Sequence, residues 1–106
     1  MKEADLQKHT MKKLKEYFMD NKGNNVYFFN TADGFTKGVP DILLCVCGQF
    51  VAIELKVGNN KLTDLQKHIL YSIKKAGGIG EVAWSWEEVR DIINKILKKN
   101  NKNLLK

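Results

Sequence analysis

This 106-residue sequence contains a pair of adjacent strand-like segments. The two segments span residues 41–47 and 50–57, are rich in apolar residues, and are separated only by Gly48-Gln49. A glycine followed by a polar residue is typical of a two-residue type II′ hairpin turn. The sequence therefore predicts an antiparallel hairpin in which Cys47 pairs with Phe50.

Helical and strand-like segments alternate around this hairpin. Apolar residues recur at helical spacing in three segments, which cover residues 2–19, 61–76 and 85–98. Runs of β-forming residues predict two further strands, at 26–29 and 79–84. The last helix should begin with a capping box, because Glu88 follows Ser85 by three residues. The predicted order α-β-β-β-α-β-α is that of an α/β domain with a small mixed sheet flanked by helices.

Length and composition indicate one domain with a basic surface. Residues 1–98 form the predicted domain, and the basic, Asn-rich residues 99–106 are expected to be a flexible tail. A hydrophobic share of 43% is enough for one core, and the net charge of +6 favours a polyanionic partner such as nucleic acid. Charge alone leaves that partner open, because many basic proteins bind nothing acidic.

The cysteines and the N-terminus indicate an intracellular protein. Cys45 and Cys47 are neither the distant pairs of a disulfide framework nor the spaced couples of a zinc site, so we expect buried, reduced thiols. The segment from Met1 to Phe18 is charged and has no apolar core, unlike a signal peptide. Since no apolar run approaches the roughly 18 residues that span a bilayer, we expect a soluble, cytoplasmic protein.

Three charged residues should converge in the hairpin. In the predicted register Asp41 lies opposite Lys56, and Glu54 lies two residues before Lys56 on the same strand. Opposed residues share a face of a sheet, as do residues two apart, so the two carboxylates would be about 5 to 8 Å apart at the backbone. Such a pair suits a divalent cation with oxygen ligands, which can polarise a phosphate and lower the pKa of a bound water. Lys56 would orient that water or stabilise the developing charge.

Glu3 is a fourth candidate for this site. It precedes Thr10 by seven residues and Leu14 by eleven, which places it on the apolar side of the first helix. A carboxylate is rarely buried without a partner, and a metal or a DNA-facing site at the sheet edge would supply one. The alternative is an ordinary acidic residue in the first turn of a helix, where glutamate is favoured.

Three motifs in this order resemble the VRR-NUC branch of the PD-(D/E)xK nucleases. The chain contains Gly38-Val39-Pro40-Asp41, then Val51 to Gly58 with Glu54-Leu55-Lys56 inside it, and then Leu62 to Gln66. They are similar to the Gly-x-Pro-Asp of that family, its Glu-x-Lys strand followed by glycine, and its glutamine-bearing helix. With Glu3 as the helical glutamate, the resemblance extends to the strand after Gly77-Gly78.

The resemblance implies a restriction-endonuclease-like core and a metal-dependent endonuclease that hydrolyses DNA with Mg²⁺ or Mn²⁺. Asp41, Glu54 and the backbone carbonyl of Leu55 would bind the metal, and Glu3 would complete the site. Lys56 would activate or position the attacking water.

The resemblance also implies a substrate and further contacts. Gln66 would assist from its helix, and DNA contacts are expected at Lys37, Gly38 and Lys61, with Lys37 near the place where the family often has an arginine. Stand-alone members act as homodimers on branched DNA such as four-way junctions. A phage or prophage origin would suit so small a protein.

Simpler explanations stay open for several of these residues. Asp41 could be only a residue at a loop–strand boundary, and Glu54 with Lys56 only an exposed edge, although such apolar flanking residues argue against a wholly solvated face. Gln66 follows Thr63 by three residues, so its side chain could cap the helix instead. Trp84 could stack on bases or pack in the core.

Other functions also stay open at this point. The chain could cleave flaps, nicked duplexes or RNA. It could equally be a nucleic-acid-binding module that keeps the fold without the chemistry, or a protein-interaction adaptor, which would need neither DNA nor metal.

Overall fold

The computed structural model describes residues 1–20, 25–31 and 37–106, without the side chains of residues 18–20. Within these ranges the helices are α1 (Glu3–Asp20), α2 (Asp64–Lys75) and α3 (Trp86–Lys99). The strands are β1 (Val26–Asn30), β2 (Ile42–Val46), β3 (Gln49–Leu55) and β4 (Ile79–Ala83). The predicted α/β class and the order α-β-β-β-α-β-α are confirmed.

The sheet is mixed and has helices on both faces. Its strand order is β1-β2-β3-β4, with antiparallel pairing from β1 to β3 and parallel pairing between β3 and β4. On one face the core is formed by α1, α3 and alternate apolar residues of the strands, such as Ile53 and Ile42, which are both fully buried. On the other face α2 packs against β4. There it approaches Gly80 so closely that an added Cβ would lie 2.9 Å from the Leu70 carbonyl oxygen.

The turn of the β2–β3 hairpin differs from the prediction. Its two loop residues are Cys47 and Gly48, with φ angles of 52° and 81°, and Val46 pairs with Gln49. Positive φ at both central residues is typical of a type I′ turn, whose twist matches that of the flanking strands. The predicted II′ turn at Gly48-Gln49 and the pairing of Cys47 with Phe50 are therefore wrong.

The true register places Asp41 opposite Glu54, where the sequence predicted Lys56 as its partner. Ile42 pairs with Ile53, and one step further along the antiparallel strands Asp41 lies opposite Glu54. The error amounts to two residues, and the side-chain pattern of a strand repeats every two residues. Every side chain therefore keeps its predicted face.

The two cysteines differ from the expectation of buried thiols, and part of the C-terminal segment contacts α3. Both thiols are free, but Cys45 is exposed and Cys47 half-buried, because β2 has one face turned toward solvent at this end. Beyond α3, where a flexible tail is predicted, Leu105 is only 4% exposed. Asn94 accepts a hydrogen bond from the Leu105 N–H (2.7 Å) and donates one to its carbonyl (3.0 Å), which fixes this part of the tail to α3.

The helices of the described chain are too short or too polar to be membrane spans. None of those within residues 1–20, 25–31 and 37–106 has the length and apolar character needed to cross a bilayer.

Candidate active site

Asp41 is held in place where β2 begins. Its Oδ2 atom accepts a hydrogen bond of 2.8 Å from the Leu55 backbone N–H at the end of β3. Thr31, which is buried after β1, donates its hydroxyl to the Pro40 carbonyl (2.6 Å) and its N–H to the Asp41 carbonyl (3.0 Å). The carboxylate is therefore positioned by both neighbouring strands. Sequence reasoning missed Thr31, because a single threonine after a short strand carries no distinctive pattern.

Glu54 lies beside Asp41 and is almost completely buried, at 3% exposure. Burial raises the pKa of Glu54 to about 9, and the hydrogen bond to Asp41 and the negative charge of Asp41 act in the same direction. The Oε2 atom of Glu54 is buried without a hydrogen-bond partner. Two carboxyl groups are thus forced together in a place where one must keep a proton if no cation is present.

Lys56 follows on the same strand and is only 6% exposed. Its backbone N–H donates to the Ala83 carbonyl (3.0 Å), which continues the pairing of β3 with β4. Its positive charge partly offsets the rise in the pKa of Glu54. The Lys56 ammonium group is close to the carboxyl pair but does not form a direct salt bridge to it. Among the described residues, an ion pair within 4 Å occurs between Arg90 and Asp91 and not at this site.

Glu3 joins this cluster from the N-terminus of α1. It is half-buried on the same side of α1 as the buried Leu6 and Thr10, as the helical spacing predicts. Its charge also raises the pKa of Glu54, which places it within electrostatic range of the carboxyl pair. Asn60, in the turn after β3, donates its Nδ2 to Glu3 Oε2 (3.0 Å). Asn60 was not predicted, because its role depends on a contact with a residue 57 positions away.

Two solved structures share this arrangement of helices and strands. One, described as a VRR_NUC domain protein, matches with a TM-score of 0.70 and 22% sequence identity over 92% of this chain and 89% of that chain. The chain has the fold of the VRR_NUC domain. A second structure, described as a VRR_NUC domain, matches with a TM-score of 0.61 and 22% identity over 82% of this chain and 92% of that chain. No protein-family model and no curated protein matches the sequence.

Within this VRR_NUC fold, Gln66 caps the helix that covers the site side of the sheet. The Thr63 N–H donates to Gln66 Oε1 (2.9 Å), and the Gln66 N–H donates to Thr63 Oγ1 (3.1 Å), which completes a capping box. Gln66 shares a helix face with the buried Leu70, one turn closer to the helix start. Because α2 connects two parallel strands, that turn lies toward the end of β3 that bears Glu54. The cap occupies the side-chain oxygen and leaves the NH₂ group as the available donor.

The three residues expected to contact DNA surround this end of the fold. Lys37 and Lys61 are exposed. Gly38 has a φ of 90°, and a Cβ there would lie 2.6 Å from Leu65 Cγ. Gly38 therefore allows the chain entering Asp41 to pack directly on α2, a structural requirement that would apply with or without DNA.

The donor set fits a divalent cation that prefers oxygen ligands. Within the described ranges no group of three or more His, Cys, Asp or Glu side chains is close enough together to hold a metal ion. Magnesium, however, commonly uses one or two carboxylates together with water and substrate phosphate. Asp41 and Glu54 supply two carboxylates, and the orphaned Glu54 Oε2 is an oxygen that a cation would satisfy. The N–H and carbonyl of a strand residue point to the same side, so the Leu55 carbonyl points to the β2 side of β3, where its N–H bonds to Asp41.

Proposed function

We propose that this protein is a metal-dependent endonuclease that hydrolyses phosphodiester bonds in DNA. The observation that carries the proposal is the buried pair of Asp41 and Glu54 next to the buried Lys56. A fold needs no such cluster for stability, because an unneutralised carboxyl pair is costly to bury. A binding module would gain nothing from carboxylates that face phosphate. The cluster is useful when a cation lies between the acids and the DNA.

Each residue of the cluster has a distinct part in this chemistry. Asp41, Glu54 and the Leu55 carbonyl would hold Mg²⁺ or Mn²⁺. Glu3 does not form a three-acid group with the pair, so it would complete the site through a bridging water. The bound metal would polarise the scissile phosphate and lower the pKa of the attacking water. The Lys56 ammonium orients that water and stabilises the negative charge that develops on the phosphate oxygens.

Residues outside the cluster would position the DNA. The Gln66 NH₂ group is available to donate to the reacting phosphate or water. Lys37 and Lys61 are exposed cations that would contact phosphates on either side of the scissile bond. The exposed side of α2 adds the further lysines Lys67, Lys74 and Lys75. The first helical turn of α2 contributes the single acidic residue Asp64.

We expect the purified protein to cleave labelled DNA in Mg²⁺ or Mn²⁺ and to produce no product in EDTA. A four-way junction should be cut faster than a blunt duplex, and flap and nicked duplexes and RNA are compared in parallel. Asp41→Asn should abolish cleavage, whereas the matched variant Asp91→Asn, at an exposed position on α3, should not. DNA binding without cleavage of any substrate in either metal would refute the nuclease and leave a binding module.

A junction must be cut on two strands, and we propose that two copies of the chain supply the two sites. The support is an apolar surface on the face of β1 and β2 that faces away from α1 and α3. On that face Tyr27, Phe29 and Phe50 are 43% to 63% exposed. Cys45 pairs with Tyr27 on one side and with Phe50 on the other, and Leu43 pairs with Phe29, so these residues form a continuous surface. Contiguous exposed apolar patches mark interaction sites, and a two-fold dimer would cover the same patch on both copies.

Tyr27→Glu is expected to convert the dimer to a monomer. A charge at the centre of an apolar interface commonly costs 2 kcal/mol or more, which raises the dissociation constant by about thirtyfold. Light scattering over a concentration series should give twice the chain mass of 12.1 kDa for the natural protein and the chain mass for the variant. Tyr71→Glu, at an equally exposed tyrosine on α2, is the control. A natural protein that is monomeric at all concentrations would contradict the dimer.

A further inference from the structure

A large aromatic surface is exposed at the end of β4. Trp84 is 41% exposed, whereas Trp86, two residues later, is 6% exposed and belongs to the core. The Trp84 N–H donates to Glu88 Oε1 (3.2 Å), so its backbone is fixed at the start of α3. The indole itself remains open to solvent and is not part of the core.

Trp84 lies immediately beside the catalytic strand. In the parallel pairing Glu54 is opposite Val82 and Leu55 opposite Ala83, and the Lys56 N–H bonds to the Ala83 carbonyl. Trp84 is therefore the next neighbour of Lys56. Strand alternation gives Trp84 the same face as Val82, which is the face that carries Glu54.

Trp84 forms one wall of a groove of about 600 Å³. The rest of the lining comes mainly from the turn after β3, with Asn59, Asn60 and Lys61, and from Lys67 on α2. The lining contains two lysines and no acidic residue. At one end Asn60 donates to Glu3, which acts electrostatically on Glu54. The groove is thus a shallow, cationic and aromatic surface beside Lys56, and Asn60 connects its lining to Glu3.

We propose that this groove binds an unpaired or unstacked nucleobase, with its phosphate, on the strand that enters the active site. The indole of Trp84 stacks on the base, and Lys61 and Lys67 bind the adjoining phosphates. Aromatic side chains accept any base in this way, because every base has a π-face, while Lys residues track the backbone. This inference rests on the proposed nuclease function and adds to it a binding site for an unpaired base.

The groove explains how one small domain could distinguish branched from plain DNA. Within an intact duplex each base face is covered by its neighbours, so the indole has nothing to stack on. Where strands part, at a junction, flap or overhang, a base face becomes accessible. Selection then acts through the position of Trp84 next to Lys56, and it needs no base-specific hydrogen bonds.

Binding measured in EDTA tests the groove without cleavage. The probes are a single-stranded oligonucleotide and a flap, each carrying 2-aminopurine at an unpaired position, and a blunt duplex of the same sequence. Trp84→Ala should weaken binding to the unpaired probes by about tenfold to a hundredfold and leave duplex binding within about twofold. Trp84→Phe should restore most of the affinity. Trp84 fluorescence should be quenched by the single strand in the natural protein, with the buried Trp86 as an internal reference.

The variants also separate the possible failures. Tyr71→Ala, which removes another exposed aromatic residue, should bind all probes normally, and thermal unfolding checks that Trp84→Ala is folded. Equal affinity of Trp84→Ala and natural protein for the unpaired probes would overturn the stacking role. An equal loss on the blunt duplex would overturn it as well, because it would assign the groove to phosphate binding alone. Either result, with metal-dependent cleavage intact, would leave the nuclease itself standing.

Discussion

Lys56→Met should lower the rate of DNA cleavage by about a hundredfold to ten-thousandfold, which is the range for loss of a positioned proton-transfer or charge-stabilising group. The Lys56 side chain is 6% exposed and lies next to the carboxyl pair without forming a salt bridge to it. Methionine keeps most of its length and apolar stem but removes the charge. The loss should therefore appear in the rate of the chemical step rather than in folding.

Single-turnover cleavage at saturating protein isolates this effect from DNA binding. The variant should still bind junction DNA and should still be stabilised by Mn²⁺ in a thermal unfolding assay, because Asp41, Glu54 and the Leu55 carbonyl are unchanged. Lys98→Met is the matched control, since it makes the same change at an exposed site on α3. Cleavage by Lys56→Met at the natural rate would remove Lys56 from the proposed mechanism.

The convergence of Asp41, Glu54 and Lys56 on one face could be predicted although the turn was wrong. The apolar strands predict a hairpin, but they do not determine its turn residues. A loop at Cys47-Gly48 and a loop at Gly48-Gln49 both contain a glycine. Nothing local shows that Cys47 adopts a φ of 52°, which non-glycine residues seldom do. A register error of two residues leaves each side chain on its face, whereas an error of one would have moved Asp41 to the opposite face.

Other parts of the site were beyond sequence reasoning for a different reason. Thr31 and Asn60 act through single hydrogen bonds to Pro40 and Glu3, and no periodic pattern marks such contacts. The hydrogen bond between Leu105 and Asn94 is of the same kind, because nothing in the basic, polar composition of the tail indicates that it contacts α3. Tertiary contacts between isolated polar residues are set by the completed fold, so they become visible only when the elements are assembled.

Gln66 shows how one residue can satisfy a local rule and a functional one together. The capping box predicted from Thr63 and Gln66 is present, with both of its hydrogen bonds. It orients the side chain at the start of α2 and leaves the NH₂ group free of the cap. The local explanation and the proposed role at the site are therefore compatible, and the sequence could not have separated them.

Glu54→Gln is expected to have opposite effects on stability and on cleavage. In the natural protein without metal, burial and Asp41 raise the pKa of Glu54 to about 9, from the ordinary glutamate value of 4.5. The folded state therefore holds a proton that the unfolded state releases at neutral pH. The stability that this proton contributes is fully present below about pH 4.5 and is lost as the pH rises toward 9. Glutamine has nearly the same shape, cannot lose a proton, and can donate its NH₂ to Asp41 in place of the carboxyl hydrogen.

In EDTA at pH 7.5, Glu54→Gln should raise the free energy of unfolding by about 1 to 3 kcal/mol, and the difference should shrink toward pH 5. Chemical denaturation at several pH values measures it, with Glu87→Gln, at an exposed residue of α3, as the control. Addition of Mg²⁺ or Mn²⁺ should stabilise the natural protein and not the variant, because the neutral amide binds the cation poorly, and cleavage should be lost. If the variant is stabilised but metal still stabilises it further, Glu54 is not a metal ligand. If the variant is less stable than the natural protein at all pH values, the carboxyl pair is a structural element of the fold. We therefore expect one substitution to stabilise the metal-free fold and to abolish cleavage. Such a result is expected when a site lowers the stability of the fold in order to bind a metal.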